Sequence, residues 1–498
     1  MEKRRFVRAT PDEDTVVVSV FPGTPYEKQI PYLDLSVGGV GLKATSSIAS
    51  IGGIGSKTSR ATPFLKLGDE VRLGIKLPLH NSFLVQAKVV HFDERRVGLQ
   101  FINLQLHHLE QISRFLLEYR FPNHVLRGKV PFGDVWRLFK ASGYLDEKPF
   151  GSIDLLKHDA DRSWRKLNRE NYDLSYDIVA KRDKELVGTG SVLRVYSNTW
   201  MMHQLAAVKN QRLRYETARD IYFHTVSFQM DNSNHKYLLA YYNADWNWHR
   251  RVFDKFAEEY GNREDVDIAR WVHFEVPTKG GALPKEVVFS SGSNFEPPVK
   301  GKLFAEAMDY EFGTEKISLL YRRYGLQRER QIFCIDKKKD TIAELHCERA
   351  TSGLNLFNLL NQFRVRLLFN TEEAMNMSVA SGAAWYHRQG INQVSLLATE
   401  EQAELVSPDI ATRICSLNQI VISKRSLPAF YQHLERSLRL PGTKRLVDLK
   451  PKKTTEKQEI KIILPEKREL QEKEVQNEEE EPQQEEGSKG KEETQIEQ

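Results

Sequence analysis

At 498 residues, with 40% hydrophobic and 10% aromatic content, the chain has the composition of a globular protein, and its length predicts about three domains. Three scattered cysteines, Cys334, Cys347 and Cys415, exclude a disulfide framework and a zinc ligand set, and no apolar run approaches the roughly 18 residues of a membrane span. The net charge of +5 is uneven, because thirteen glutamates against five lysines and arginines from Glu466 to Gln498 leave that stretch at −8 and the remainder at +13.

The chain begins MEKRRFVRAT, which sets Arg4, Arg5 and Arg8 close together. Residues 15–101 then read as short strands: TVVVSVF, KQIPYLDLS, GVGLKA, DEVRLGIKL, FLVQAKVVHF and RRVGLQFI. Alternation, β-branched content and Gly, Asp and Pro punctuation predict a small antiparallel barrel or sandwich. The stretch 46–63, SSIASIGGIGSKTSRATP, interrupts the strands as a Gly/Ser-rich inserted loop. LHHLEQISRFLLEYRF changes to helical spacing, with Leu106, Leu109, Ile112 and Phe115 on one side, and is expected to close the barrel.

From about residue 122 the pattern is mixed α/β. Residues 175–197 form a long hairpin turning at Asp183–Glu185, 199–208 a further strand, and 236–261 a strand running into a helix. A hairpin at 328–350 and a strand-to-helix stretch at 421–438 repeat the pattern, which divides the body into 122–290 and 291–448. Residues 449–498 are Lys/Glu/Gln-rich with almost no aromatics and are expected to be disordered. The basic residues of the body form no continuous stripe, so a nucleic-acid polymer is not indicated. The N-terminus lacks an apolar signal core, and a cytoplasmic location is expected.

Arg4-x-x-x-Arg8, with Arg5 between, followed by Asp34-x-Ser36-x-x-Gly39 at a strand-to-strand turn, resembles the PilZ family over residues 1–121. The resemblance implies an antiparallel β-barrel that binds the bacterial second messenger cyclic di-GMP. The chemistry suits that ligand. A guanidinium fork meets guanine O6 and N7 together, and arginines can also clamp phosphates and stack on the bases. Asp34 would accept from guanine N1 and N2, Ser36 would hydrogen-bond a phosphate or base edge, and Gly38 and Gly39 would let backbone approach the ligand. The bland alternative is a basic arm beside an ordinary Asx turn.

The run DIVAKRDKELVGTGSVL, HQLAAVKNQ and YYNADWNWHRRVFDKFAEEYG resembles the GNAT acyltransferase family, with Gly188 in the hairpin and Asn243 where the fifth strand feeds a helix. The resemblance implies acyl-CoA as donor. In that family a glycine-rich turn after the fourth strand cradles the coenzyme A pyrophosphate. Here QRLRYETARD supplies Gln211, Arg212 and Arg214 but no glycine. Two readings stay open: an acyltransferase switched by the N-terminal domain, and a non-catalytic adaptor whose GNAT-like body binds a downstream protein. His203 reads as a satisfied half-buried histidine. Asn243 or Asp245, in the cluster with Trp246, Trp248 and His249, reads as a helix N-cap. His346 and Cys347 are neighbours on a strand, point to opposite faces and cannot form a dyad.

Overall fold

The computed structural model describes residues 16–438 except 26, 45–64, 79–81, 94, 146–152, 168–172, 210, 233, 279–286, 290–297, 299–300, 312 and 338–339. The expected disordered tail, the arginines at 4, 5 and 8, and the inserted loop at 46–63 lie outside these residues.

The N-terminal unit is one antiparallel sheet of β1 (Val17–Val20), β2 (Lys28–Gln29), β3 (Tyr32–Ser36), β4 (Gly39–Lys43), β5 (Glu70–Lys76), β6 (Phe83–Phe92) and β7 (Arg96–Ile102), in the order β2-β1-β5-β6-β7-β4-β3. Strand β6 alternates buried and exposed positions along most of its length, as expected where one face meets a core and the other meets water. The buried face, with Leu35, Leu42, Leu73, Ile75, Ala87 and Val97, is covered by Ile112, Phe115 and Leu116 of α1 (Leu106–Arg120). This is the curled sheet and closing helix that the sequence predicts.

The rest is one sheet of twelve strands. Its first half holds β8 (His124–Leu126), α2 (Phe132–Ser142), α3 (Ile153–Leu167), β9 (Ser175–Arg182), β10 (Glu185–Tyr196), β11 (Thr199–Ala207), α4 (Gln211–Asp231) and β12 (Tyr237–Asn243). After α5 (Asn247–His249), a π-helical turn (Arg250–Asp254) and α6 (Lys255–Tyr260) comes β13 (Val266–Pro277). The second half repeats the scheme with β14 (Val287–Phe289), α7 (Lys302–Ala307), α8 (Glu315–Arg323), β15 (Arg328–Lys337), β16 (Asp340–Ala350), β17 (Gln362–Leu367), α9 (Glu372–Arg388), β18 (Gln393–Ala398), α10 (Glu400–Ala403), β19 (Thr412–Ser423) and α11 (Leu427–Ser437). In each half an antiparallel meander is followed by a helix that crosses to a parallel strand, β11 to β12 and β17 to β18.

The strand order β14-β15-β16-β17-β18-β13-β19-β12-β11-β10-β9-β8 contains an exchange. Strand β13 leaves the first half and pairs with β18 of the second, and β19 returns to pair with β12 of the first. The cores follow the strands. Val272, Phe274 and Val276 of β13 pack with Phe363 and Leu396, whereas Leu417 and Val421 of β19 pack with Met201 and Leu239.

Local chemistry explains several elements. The β9–β10 turn is made by Asp183 and Lys184, both at positive φ, the conformation that a two-residue hairpin with matching twist requires. The GTG at 188–190 is mid-strand, and its glycines have a packing role. A Cβ at Gly188 would lie 2.3 Å from Thr217 Cγ2, and one at Gly190 would lie 2.4 Å from Ile221 Cγ2, so α4 lies on the sheet only because these side chains are missing. Gly353, at φ +82°, faces α3 so closely that a Cβ would sit 2.3 Å from Ala160 N. Gly353→Ala is therefore expected to lower stability by about 1–3 kcal/mol from the left-handed backbone alone, with the clash adding to it. Denaturant unfolding checks this, and an unchanged midpoint would contradict the close approach.

Candidate functional sites

Asp34 and Ser36 lie on β3, Gly39 opens β4, and Val37 and Gly38 make the turn between them. Ser36 is buried and its Oγ donates to Gly39 O at 3.1 Å, which tightens the hairpin. Gly38 O accepts from Phe101 N at 3.0 Å and ties the turn to β7. Gly39 has a structural reason to be glycine, since a Cβ there would stand 2.2 Å from Leu99 O. Asp34 is held by Arg96 of β7, whose Nη2 donates to both carboxylate oxygens at 3.1 and 2.8 Å. Asp34 is paired with Gly41 and Gly41 with Gly98, so the side chain of Arg96 reaches across β4 over a glycine. A Cβ at Gly41 would collide with both partners at 2.9 Å. Sequence reasoning singled out Asp34, Ser36, Gly38 and Gly39 and passed over Arg96 and Gly41, which the structure places against Asp34; two glycines in facing strands beside an arginine were the available signal.

A second site lies where the first half's parallel pair parts. Strands β11 and β12 pair only from Thr199 to Met202 against Tyr237 to Ala240. The segments beyond line a cavity of about 970 Å³, together with Tyr222 and Ile221 of α4, His273 of β13, Cys415 and Leu417 of β19, and Asn355, Phe357 and Leu359 from the second half. The register of β10 against β11 shifts between Ser191↔His203 and Thr189↔Ala206, and Gln204 takes φ +55° inside that bulge. Its side chain turns to the wall behind the cavity, where Oε1 accepts from Arg127 Nη1 at 2.6 Å and Nε2 donates to Leu354 O at 3.2 Å. Arg127 is itself ion-paired to Asp177 at 2.7 Å, with both side chains almost fully buried, and stacks on Trp164.

The cavity is close to uncharged. Among the described residues, Asp245, at the exposed rim, is the single ionisable carboxylate of the lining, and no lysine or arginine lines it. Burial, aided by Arg127, pushes His203 down to about 3, and burial lowers His249 and His273 to about 4. All three imidazoles are neutral at pH 7. His203 is not the satisfied histidine expected from sequence: Nδ1 lies 3.5 Å from Asn355 Nδ2, and Nε2 is buried without a partner among the described residues. Asn243 and Asp245 do not cap the helix either. Asn243 Oδ1 accepts from Asp245 N at 2.9 Å in an Asx turn, and the residue at the N-cap of α5 is Trp246. Helix α4 begins at Gln211, directly after the strand that lines the cavity; the side chains of Gln211, Arg212 and Arg214 lie outside the described residues.

The second half holds a buried charge cluster. Strands β17 and β18 pair through Gln362↔Ser395 and Phe363↔Leu396. Beside them Glu348 is enclosed by Arg328, Arg330 and Arg364, and the Tyr386 hydroxyl of α9 lies 2.6 Å from Gln362 O. His346 and Cys347 are both fully buried on β16, within this packed region.

The N-terminal unit meets the body through the end of α1. Arg120 Nη2 donates to Tyr431 OH at 2.5 Å, and Phe121 stacks on His224 of α4 with ring centroids 4.6 Å apart. His224 Nδ1 lies 2.9 Å from His124 Nδ1, and its Nε2 lies 2.7 Å from Tyr176 OH. Among the described residues no helix is long and apolar enough to cross a membrane.

Residues 2–118 match the family model of the PilZ domain. No curated protein matches the sequence. Among solved structures, the inhibitor of motility MotI/DgrA of Bacillus subtilis is similar at 16% identity and a TM-score of 0.19, over 24% of this chain and 53% of its own. YcgR from Escherichia coli, solved in complex with c-di-GMP, is similar at 16% identity and a TM-score of 0.18, over 24% of this chain and 46% of its own. The chain thus spans about half the length of these two relatives. A tandem GNAT protein from the clavulanic acid biosynthesis pathway is similar at 11% identity and a TM-score of 0.33, over 60% of this chain and 98% of its own. The Asp34–Ser36–Gly39 hairpin lies inside the segment, residues 2–118, that matches the PilZ domain model.

Proposed function

We propose that this chain is a cytoplasmic cyclic di-GMP receptor that relays occupancy of its PilZ domain to a GNAT-like acyltransferase body. The body is built as two such units, 122–290 and 291–448, followed by a charged tail. The observation that carries the receptor reading is the Asp34–Ser36–Gly39 hairpin inside the segment that matches the PilZ domain. Asp34 is fixed on its strand and oriented by Arg96, and its carboxylate oxygens are the acceptors for the N1–H and N2–H donors of guanine. Arg4, Arg5 and Arg8 supply the guanidinium forks for O6, N7 and the phosphates, and Ser36, Gly38 and Gly39 shape the turn beneath them.

Support for the relay is the junction at α1. Through Phe121 and His224 the closing helix bears on α4, the helix that starts at the cavity of the first half. The cavity where β11 and β12 part supports the acyltransferase reading. The adaptor reading is favoured by one feature, the lack of any glycine between Lys209 and Arg214 to cradle a pyrophosphate. Coenzyme A should bind under the first reading and not under the second.

Calorimetry with cyclic di-GMP tests the receptor. Arg4→Ala, Arg8→Ala and Asp34→Ala should each cost about 1–3 kcal/mol of binding, the range for a bidentate base contact. Wild-type affinity in the Arg4/Arg8 double variant would sink the assignment. Equal affinity for cyclic di-AMP would count against it as well, because adenine has a donor where guanine has O6.

A further inference from the structure

We infer that the cavity between β11 and β12 is built for a long aliphatic acyl chain of roughly eight to twelve carbons rather than for an acetyl group or a charged acceptor. This rests on the acyltransferase reading for the identity of the head group, but the argument for the chain comes from the walls.

Size is the first consideration. At about 970 Å³ the cavity stands at the upper end of the range of small-molecule sites, about 300–1,000 Å³. An acetyl group has three heavy atoms and fills roughly the space of three waters, on the order of 90 Å³. A site meant for that group alone would leave most of its volume to water.

Chemistry is the second. The wall includes Met201, Met202, Ile221, Phe253, Leu359 and Leu417, every one of them buried. A methionine in the wall supplies a flexible, polarisable surface that can follow a chain of varying length. An ammonium acceptor would need a carboxylate to replace its hydration, yet Asp245 sits at the exposed rim and the imidazoles inside are neutral. A carboxylate or phosphate group would find no lysine or arginine among the described lining residues. What remains favourable is the burial of methylene groups.

The origin of the walls is the third. Leu417 comes on the exchanged strand β19, and Phe357 and Leu359 come from the second half, so this apolar chamber is completed only by the intact pair of halves.

The test uses the full chain and titrates coenzyme A, acetyl-CoA, octanoyl-CoA, dodecanoyl-CoA and sodium dodecanoate below its micelle concentration, followed by calorimetry. Each added methylene should tighten binding about fourfold until the chamber is full, so that dodecanoyl-CoA binds at least a hundredfold more tightly than acetyl-CoA. Ala218→Phe, which projects a ring from α4 into the chamber, should erase most of that gain at an unchanged melting temperature. Should acetyl-CoA and dodecanoyl-CoA bind alike, the chain inference is overturned while the acyltransferase reading stands. Should dodecanoate bind as tightly as dodecanoyl-CoA, with coenzyme A alone not binding, the chain inference stands and the acyltransferase reading falls.

Discussion

Glu348→Gln is expected to lower the unfolding free energy by about 3–5 kcal/mol, the cost of leaving buried charges without their counter-ion. Glu348 is 1% exposed and accepts from Arg328 Nη2 at 2.5 Å, Arg330 Nη2 at 2.9 Å and Tyr196 OH at 2.7 Å. Arg364 Nη1 stands 3.7 Å away. Burial alone would raise this carboxyl, but the three guanidiniums outweigh it and hold Glu348 well below the usual carboxylate range. Glutamine keeps the shape and removes the charge, so three guanidiniums would share a neutral acceptor. The folded-state value is depressed, so the stabilisation from Glu348 is present above the ordinary carboxylate range and is lost as pH falls through the depressed value. Wild type should therefore lose stability in acid more steeply than Glu348→Gln. Denaturant unfolding at pH 7, and then at steps below pH 4, measures both effects. A loss below about 1 kcal/mol at pH 7 would mean that the arginines find other partners.

The second large effect concerns Arg127 and Asp177 behind the cavity wall. Asp177→Ala should also cost about 3–5 kcal/mol, because Arg127 would stay buried against Trp164 with Gln204 as its remaining side-chain acceptor. Burial already presses the Arg127 guanidinium down, and Asp177 is what opposes that pressure. Replacing both together, Arg127→Met with Asp177→Leu, should recover most of the loss, since a well-packed apolar pair has no charge to desolvate. Gln204 would then lose its anchor, so the double variant should be stable yet altered in chain binding. A double variant as unstable as Asp177→Ala would show that shape, and not charge, dominates the site.

The parts legible in the sequence are those whose chemistry is local. Asp34-x-Ser36-x-x-Gly39 is a single hairpin, and its residues lie within six positions of one another. Arg96 is 62 residues from Asp34 and becomes a partner only when β3, β4 and β7 align. The hairpins at 175–197 and 328–350 were readable from alternation and turn residues. The exchange of β13 and β19 was not, since a strand's pattern states that it is buried and leaves its neighbour open. RERQ, HCERA and FRVR read in isolation as charged surface strands. They are core because the Glu348 carboxylate is shared by Arg328, Arg330 and Arg364 across three strands, a property of the set and not of any segment. His203 misled for the converse reason: a lone histidine mid-strand is commonly satisfied, and the opening of the sheet beside it was invisible.

The exchanged strands also set a schedule for synthesis on the ribosome. Strand β12 emerges early, but its partner β19 is made roughly 170 residues later, which at about 5–20 residues per second is a delay on the order of 10–30 s. Throughout that interval the nascent chain presents β12 as an open, largely apolar edge, a template for pairing with another molecule. Strand β13 waits in turn for β18. Neither half can finish folding before the other is made, so a stalled or truncated product ending before about residue 412 should be captured by chaperones or aggregate rather than persist as a stable first half.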